Sequence, residues 1–226
     1  MNLIKLTITA VAILFSCLNT TTAAENIFDN PDNQKTKIMV RAAYEYDSPT
    51  TKTIGKSCHL SSRSGFSAGF DVNIPLWKNL YLGPGLSIYE TQTGVEGYKT
   101  SGHPISFLWF FGCRVNCLIG YHFDLSKKVS LSFSTGPQLA MGFTSGEHYP
   151  GKKSDETLYT KGASLMNRYD CLWNINVATT FKSKFTLGIG LSQGLVNRVG
   201  KYYTQRDPGY SYKDRILSVS VGYTLN

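Results

Sequence analysis

Residues 105–123 read ISFLWFFGCRVNCLIGYHF, and every second residue is apolar: Ile105, Phe107, Trp109, Phe111, Cys113, Val115, Cys117, Ile119, Tyr121 and Phe123. A strand turns successive side chains to opposite faces, so these ten form one continuous greasy face; a helix does not hold that period. The other face carries Ser106, Gly112, Arg114, Asn116, Gly120 and His122 among a few apolar residues. A run this long exceeds the five or six residues usual in soluble strands and fits a strand that crosses a bilayer at a tilt and continues beyond it. A transmembrane helix is the competing reading. It would place Arg114 and Asn116 mid-span, where an Arg costs roughly 2.5–3.5 kcal/mol, and would scatter them among the apolar residues.

The same period recurs on both sides of this segment. Before it come Ile38 to Tyr46, Phe66 to Ile74 and Leu80 to Ile88; after it come Val129 to Phe143, Tyr169 to Phe181, Phe185 to Leu195 and Leu217 to Leu225. Short connections fall at Pro75 to Asn79, Asp124 to Lys128 and Lys182 to Lys184, and long polar ones near 48–64, 91–104, 146–167 and 197–214. Strict alternation of short and long connections over an even number of strands predicts an all-β, eight-stranded, up-and-down antiparallel transmembrane barrel, with short periplasmic turns and long extracellular loops. Pro84 and Pro137 lie inside the third and fifth strands. Each removes a ladder donor, so local bulges are expected there.

Charge supports the facing. Lys37, Arg41, Glu45, Asp71, Arg114, His122 and Asp170 all fall opposite the greasy face, the reverse of a soluble barrel with an apolar core. Aromatics collect near both strand ends, with Trp77, Tyr121, Phe123, Phe181, Phe185 and Tyr223 toward the turns and Tyr44, Tyr46, Phe66, Phe143 and Tyr169 toward the loops. They read as two interfacial girdles. A lipocalin-like secreted barrel or a β-sandwich is the soluble alternative.

At the N-terminus Lys5 precedes an apolar run from Leu6 to Leu18 and then a small, polar stretch to Ala24. This is the pattern of a cleaved secretory signal over residues 1–24, followed by a short periplasmic segment at 25–35 and the barrel at 36–226. An uncleaved anchor, or a lipoprotein processed at Cys17, are the other readings of the same residues. The chain carries a formal charge of +8, or +7 without Lys5. Nothing in it interleaves a basic stripe with exposed aromatics as nucleic-acid binding requires.

Cys58, Cys113, Cys117 and Cys171 remain beyond the leader. Cys113 and Cys117 share a strand at a separation of roughly 13 Å, and Cys171 belongs two strands away, so free thiols are expected. Zinc-ligand spacing is missing, and no metal or other cofactor is expected.

The chain resembles the PorT-like family of small outer-membrane barrels, often filed as a porin family. The resemblance rests on Gly83-Pro84-Gly85-Leu86, Thr135-Gly136-Pro137-Gln138-Leu139, Gln193-Gly194-Leu195-Val196-Asn197 and the closing Val221-Gly222-Tyr223-Thr224-Leu225. It implies residence in the outer membrane and assembly by the barrel-insertion machinery, and no agreed activity. The chain departs from the usual terminal aromatic by ending Leu225-Asn226.

An eight-stranded barrel is just wide enough to be filled by side chains or to hold one small ligand. A packed or water-plugged interior is expected, with Arg41, Glu45, Asp71, Arg114 and Asp170 neutralising one another; a small-solute or hydrophobic-ligand channel is the alternative. Function then belongs to the loops, as a structural, adhesive or recognition surface. Phe107, Trp109 and Phe111 on one face, with Leu108 and Phe110 on the other, form either a projecting apolar patch or a surface packed under the 146–167 loop. Lys52, Lys56, Arg63, Arg198, Lys201, Arg206 and Lys213 are loop cations that could meet anionic lipopolysaccharide. The one trace of catalysis is His59-Leu60-Ser61, a base and a hydroxyl two residues apart as in a lipid A-modifying enzyme. It falls in an expected loop with no carboxylate to orient the base, so no catalytic residue is assigned. His103 and His148 are read as loop residues and His122 as interior.

Overall fold

The computed structural model describes residues 36–225 apart from 51–52, 55–57, 97–98, 101–102, 105–106, 150–151, 155–165 and 207–210. The leader and the 25–35 segment lie outside the described residues. Eight long strands form the wall: β1 Lys37–Asp47, β2 Arg63–Trp77, β3 Leu80–Glu96, β4 Phe107–Ser126, β5 Val129–Tyr149, β6 Tyr169–Phe181, β7 Phe185–Gly194 and β8 Arg215–Thr224. Each pairs antiparallel with its sequence neighbours. β1 closes on β8 with Met39 opposite Thr224 and Asp47 opposite Ile216. The result is the expected closed, up-and-down barrel.

Period-2 patterning carries through to burial. Along β7, Phe185, Leu187, Ile189 and Leu191 are exposed while Thr186, Gly188, Gly190 and Ser192 are buried. Along β8, Leu217, Val219, Val221 and Tyr223 are exposed. The outer wall is therefore apolar and the lumen holds small and polar side chains. In the lumen small residues make room for large ones: a Cβ at Gly120 would collide with the Tyr81 ring. Tyr81 itself stacks on inward His122, with centroids 4.3 Å apart.

Several strand boundaries differ from the sequence expectation. β3 runs to Glu96 and β5 to Tyr149, so the first residues of the expected 91–104 and 146–167 loops are wall. Polar residues there are held by ladder partners: Gln92 lies opposite Trp109 and Thr93 opposite Leu108. Short strands Thr53–Ile54 and Cys58–Ser61 add to the loop end of β3, and Lys152–Ser154 adds to β5. Lys99–Thr100 pairs with His103–Pro104.

No register shift accompanies Pro84 or Pro137, which corrects the expected bulges. Pro84 stays in register with Cys117, and Pro137 with Trp173. The missing donor shows instead in the other ladder, whose register skips from Asp71 to Ile74 against β3 and from Asn116 to Ile119 against β5. Irregularities occur at Pro75/Trp77, Phe111/Gly112 and Asp124/Ser126. At the tight turns Lys78, Lys182 and Ser183 take positive φ of 49°, 49° and 56°, a conformation that glycine or asparagine adopts more cheaply.

Cys113, Cys117 and Cys171 form no disulfide, as expected; the side chain of Cys58 lies outside the described residues. One short helix, α1 at Lys201–Arg206, sits in the last connection. It is not long or apolar enough to cross a membrane, which says nothing about crossing by strands.

Candidate functional site

The lumen divides into a sealed loop end and an open turn end. The seal is an apolar cluster in which Leu108, Phe110, Leu172 and Ile216 from the wall meet Met166, Val199 and Tyr212 from the connections. Tyr212, Phe110, Met166 and Leu172 have no exposed surface. Leu108 and Phe110 are thus covered, and the cover includes the last connection rather than the 146–167 loop alone. Outside, Phe107 is capped by Arg63, 4.5 Å above its ring, and by His148, stacked at 4.5 Å. His148 belongs to β5, not to a loop.

A buried polar network runs through this apolar cluster. Arg198 Nη1 donates to Asp214 Oδ2 at 2.8 Å, and its guanidinium lies 4.5 Å over the Phe110 ring. Thr93 Oγ1 donates to Asp47 Oδ2 at 2.6 Å, and the Tyr212 hydroxyl donates to the same oxygen at 3.0 Å. Arg198 was expected to be a loop cation within reach of lipopolysaccharide; it is 2 % exposed. A lumen with three carboxylates at one level (Asp47, Asp170, Asp214) draws in a cation, because unpaired buried charge is costly.

Burial leaves its mark on these groups. Desolvation, reinforced by the Asp214 charge, pushes the Asp47 carboxyl up to about 7, although Thr93, Tyr212 and Arg198 oppose the shift. Asp214 moves the other way: burial raises it, but the Arg198 guanidinium, with the polar groups of Tyr212 and Asp170 beside it, outweighs burial and leaves it below the ordinary value. Burial drives the Tyr212 phenol well above 10, with Asp214 and Asp47 adding to it.

Below the seal, Arg114 crosses the barrel from β4 to Glu45 on β1, donating through Nη1 to both carboxylate oxygens at 2.6 and 2.8 Å. The Tyr89 ring lies 4.0 Å beneath its guanidinium. Arg41 pairs with Asp71 at 3.0 Å. The expected mutual neutralisation of luminal charge is therefore in place, except that Asp170 belongs to the seal. Toward the turns the lumen opens as a cavity of about 230 Å³, walled by hydroxyl and amide side chains such as Ser132, Ser134, Asn176 and Thr186. Seal and ion pair lie between this cavity and the loop end.

His59 and Ser61 share a face as expected, but on a strand rather than in a loop. The backbone register sets Glu96 opposite His59. The sequence reading missed it because Glu96 fell in an expected loop. Among the described residues no three His, Cys, Asp or Glu side chains are grouped to hold a metal ion. Tyr212, Thr93 and Asp214 were also missed. Their partners lie far off in sequence, 119 residues apart for Thr93 and Tyr212, and no local pattern marks them.

An eight-stranded antiparallel barrel with an apolar outer wall, a polar lumen and a sealed loop end defines the class of this protein. The chain belongs to the family described as a domain of unknown function, DUF2715, whose model matches residues 11–226. No curated protein matches it. Among solved structures it is similar to Neisserial surface protein A (13% identity, covering 83% of this chain and 96% of that one, TM-score 0.45). It is also similar to the outer membrane enzyme PagL (12%, 82% and 97%, 0.43) and to the outer membrane protein OprG from Pseudomonas aeruginosa (10%, 88% and 100%, 0.43).

Proposed function

We propose that the chain is an integral outer-membrane barrel without enzymatic activity, acting through its loop-end surface as a structural or recognition element. The observation that carries this reading is the sealed lumen within an apolar wall. Exposed Ile189, Leu187, Val219, Val221 and Ile119 need a hydrocarbon environment, since a soluble protein rarely leaves so wide an apolar face bare. The seal and the Arg114–Glu45 pair oppose solute flow, which disfavours the channel alternative. A crossing takes about 9–11 residues, so β3, β4 and β5, with 17, 20 and 21 residues, overrun the bilayer and extend the barrel outward as a platform.

The PorT-like resemblance supports the same location, reached after signal removal and through the barrel-insertion machinery. Lipopolysaccharide is the proposed lipid contact of the loop-end cations, now without Arg198. Semi-native gel migration of the protein from isolated outer membranes, unheated against boiled, tests the reading. A heat-dependent shift is expected, with no steady conductance in planar bilayers. A soluble protein without a shift would return the barrel to the ligand-binding, lipocalin-like alternative.

One observation favours a second reading, a lipid-modifying enzyme: Glu96 stands opposite His59 on the strand beside Ser61. His59→Ala and Ser61→Ala should leave lipid A acylation unchanged. A changed acylation pattern would move the function to that strand.

A further inference from the structure

We infer that the outer wall carries a binding site for one membrane lipid with an ammonium headgroup, formed by an apolar groove and the carboxylate of Glu90. The inference rests on the membrane-barrel reading above. Two adjacent rows of outward residues build the site. In the lower row Val221, Ala42, Ala68 and Ile88 are register partners on β8, β1, β2 and β3. The two alanines leave a dip between larger neighbours. In the upper row Tyr44, Phe66, Glu90 and Phe111 follow one another across β1 to β4. Together the rows line a shallow, open groove of about 560 Å³ in which Glu90 is the one charged lining residue.

Height and chemistry select the ligand. A crossing strand uses about 9–11 residues. β3 enters at Leu80, so Glu90 stands where the strand leaves the hydrocarbon and the Ala42–Ala68 dip lies just inside it, facing acyl chains. Glu90 is exposed, and the Gln92 amide donates to its Oε1 at 3.4 Å. Phenylalanine rings flank it on both neighbouring strands. A carboxylate between aromatic rings suits an ammonium group, which takes charge from the one and the π-faces from the others. A divalent cation would need six or more oxygen ligands, which this row of the wall does not offer. An acyl chain in the dip and an ammonium at Glu90 fit one lipid of the ethanolamine type.

The test uses the purified full-length barrel in detergent with equimolar phosphatidylethanolamine and phosphatidylglycerol of matched chains, and native mass spectrometry of the lipid retained. Wild type should favour phosphatidylethanolamine roughly fivefold, the size of one exposed cation–π or ion-pair contact. Glu90→Gln should abolish the preference, Glu90→Lys should invert it, and Ala68→Phe should lower retention of both lipids by filling the dip. Equal retention by wild type, or a preference that survives Glu90→Gln, overturns the site. Unchanged retention in Ala68→Phe overturns the groove. Phosphatidylglycerol retention that requires added magnesium and is lost in Glu90→Gln would assign Glu90 to a bridged phosphate and overturn the ammonium assignment. Heat-dependent gel migration of the same samples separates the two levels: a protein that shifts but shows no lipid preference fails this inference alone, whereas one that does not shift fails the barrel reading.

Discussion

Arg198 and Asp214 stand at opposite ends of the last connection and meet inside the barrel, Nη1 to Oδ2 at 2.8 Å, both side chains less than a tenth exposed. The pair ties the connection down upon the lumen. Asp170 and Asp47 act electrostatically on the same group. Arg198→Ala therefore leaves carboxylates buried without their cation, a loss of about 3–5 kcal/mol. The cost falls on the seal, not on the wall. Trypsin should then cut at Lys201 and Arg206 in intact outer membranes, while the heat-dependent migration of the barrel persists. A connection that stays resistant in the variant would show that Arg198 does not hold it.

The seal should also respond to pH through Asp47, which ends β1 beyond Tyr46 and outside the apolar band. Its carboxyl titrates at about 7 in the closed seal against 3.8 when solvated. The closed state binds the proton more tightly, so closure is most favoured in acid, weakens as pH rises from about 4 to 7, and is level above that. Asp214, held below its ordinary value, acts oppositely: its contribution is present above 3.8 and is lost as pH falls through its depressed value. Hydrogen exchange of the 211–214 amides, corrected for intrinsic rates, should show protection decreasing between pH 5 and 7. Asp47→Asn should flatten that slope. A slope unchanged in the variant would assign the titration to another group.

Face assignment is open to a direct comparison. Ile119 is 55% exposed on the outer wall, and Ile119→Arg should cost roughly 2–4 kcal/mol near the bilayer midplane. Ser132 faces the turn-end cavity on the inner side of the wall, and Ser132→Asn, a polar group meeting a polar lumen, should cost distinctly less than Ile119→Arg. Gly120 is not a usable inward control, despite its polar neighbours, because Tyr81 occupies the space a side chain would need. Urea unfolding in lipid vesicles distinguishes the two sites. Equal costs at Ile119 and Ser132 would sink the facing.

What could be read beforehand followed from period. Alternation along 105–123 and in seven further segments gives the eight strands, because a strand's two faces meet different solvents and the sequence records it residue by residue. Luminal Arg41, Glu45, Asp71 and Arg114 were legible for the same reason. The strand extensions were not: Thr91 to Glu96 and Thr144 to His148 carry polar residues on both parities, and ladder partners rather than hydrophobicity keep them extended. Glu90 escaped notice because the third strand was read only to Ile88. The seal was illegible in principle, since Tyr212 meets Asp47 across 165 residues, and the charge of Arg198 reads the same whether solvated or buried.

The Arg114–Glu45 pair yields a sharper prediction than a count of its contacts. Both groups are about 5% exposed, and Arg114 also rests on Tyr89, so either single replacement strands the other charge inside the barrel. Glu45→Ala should cost about 3–5 kcal/mol, most of it the penalty of an uncompensated guanidinium. The double variant Glu45→Leu, Arg114→Met fills a similar volume without charge and should cost distinctly less than either single change. Folding free energies from urea titration of wild type, both singles and the double close a mutant cycle that isolates the pair. A double variant as unstable as the sum of the singles would mean that the two side chains stabilise the lumen independently, through packing on Tyr89 and the β1 wall rather than through each other.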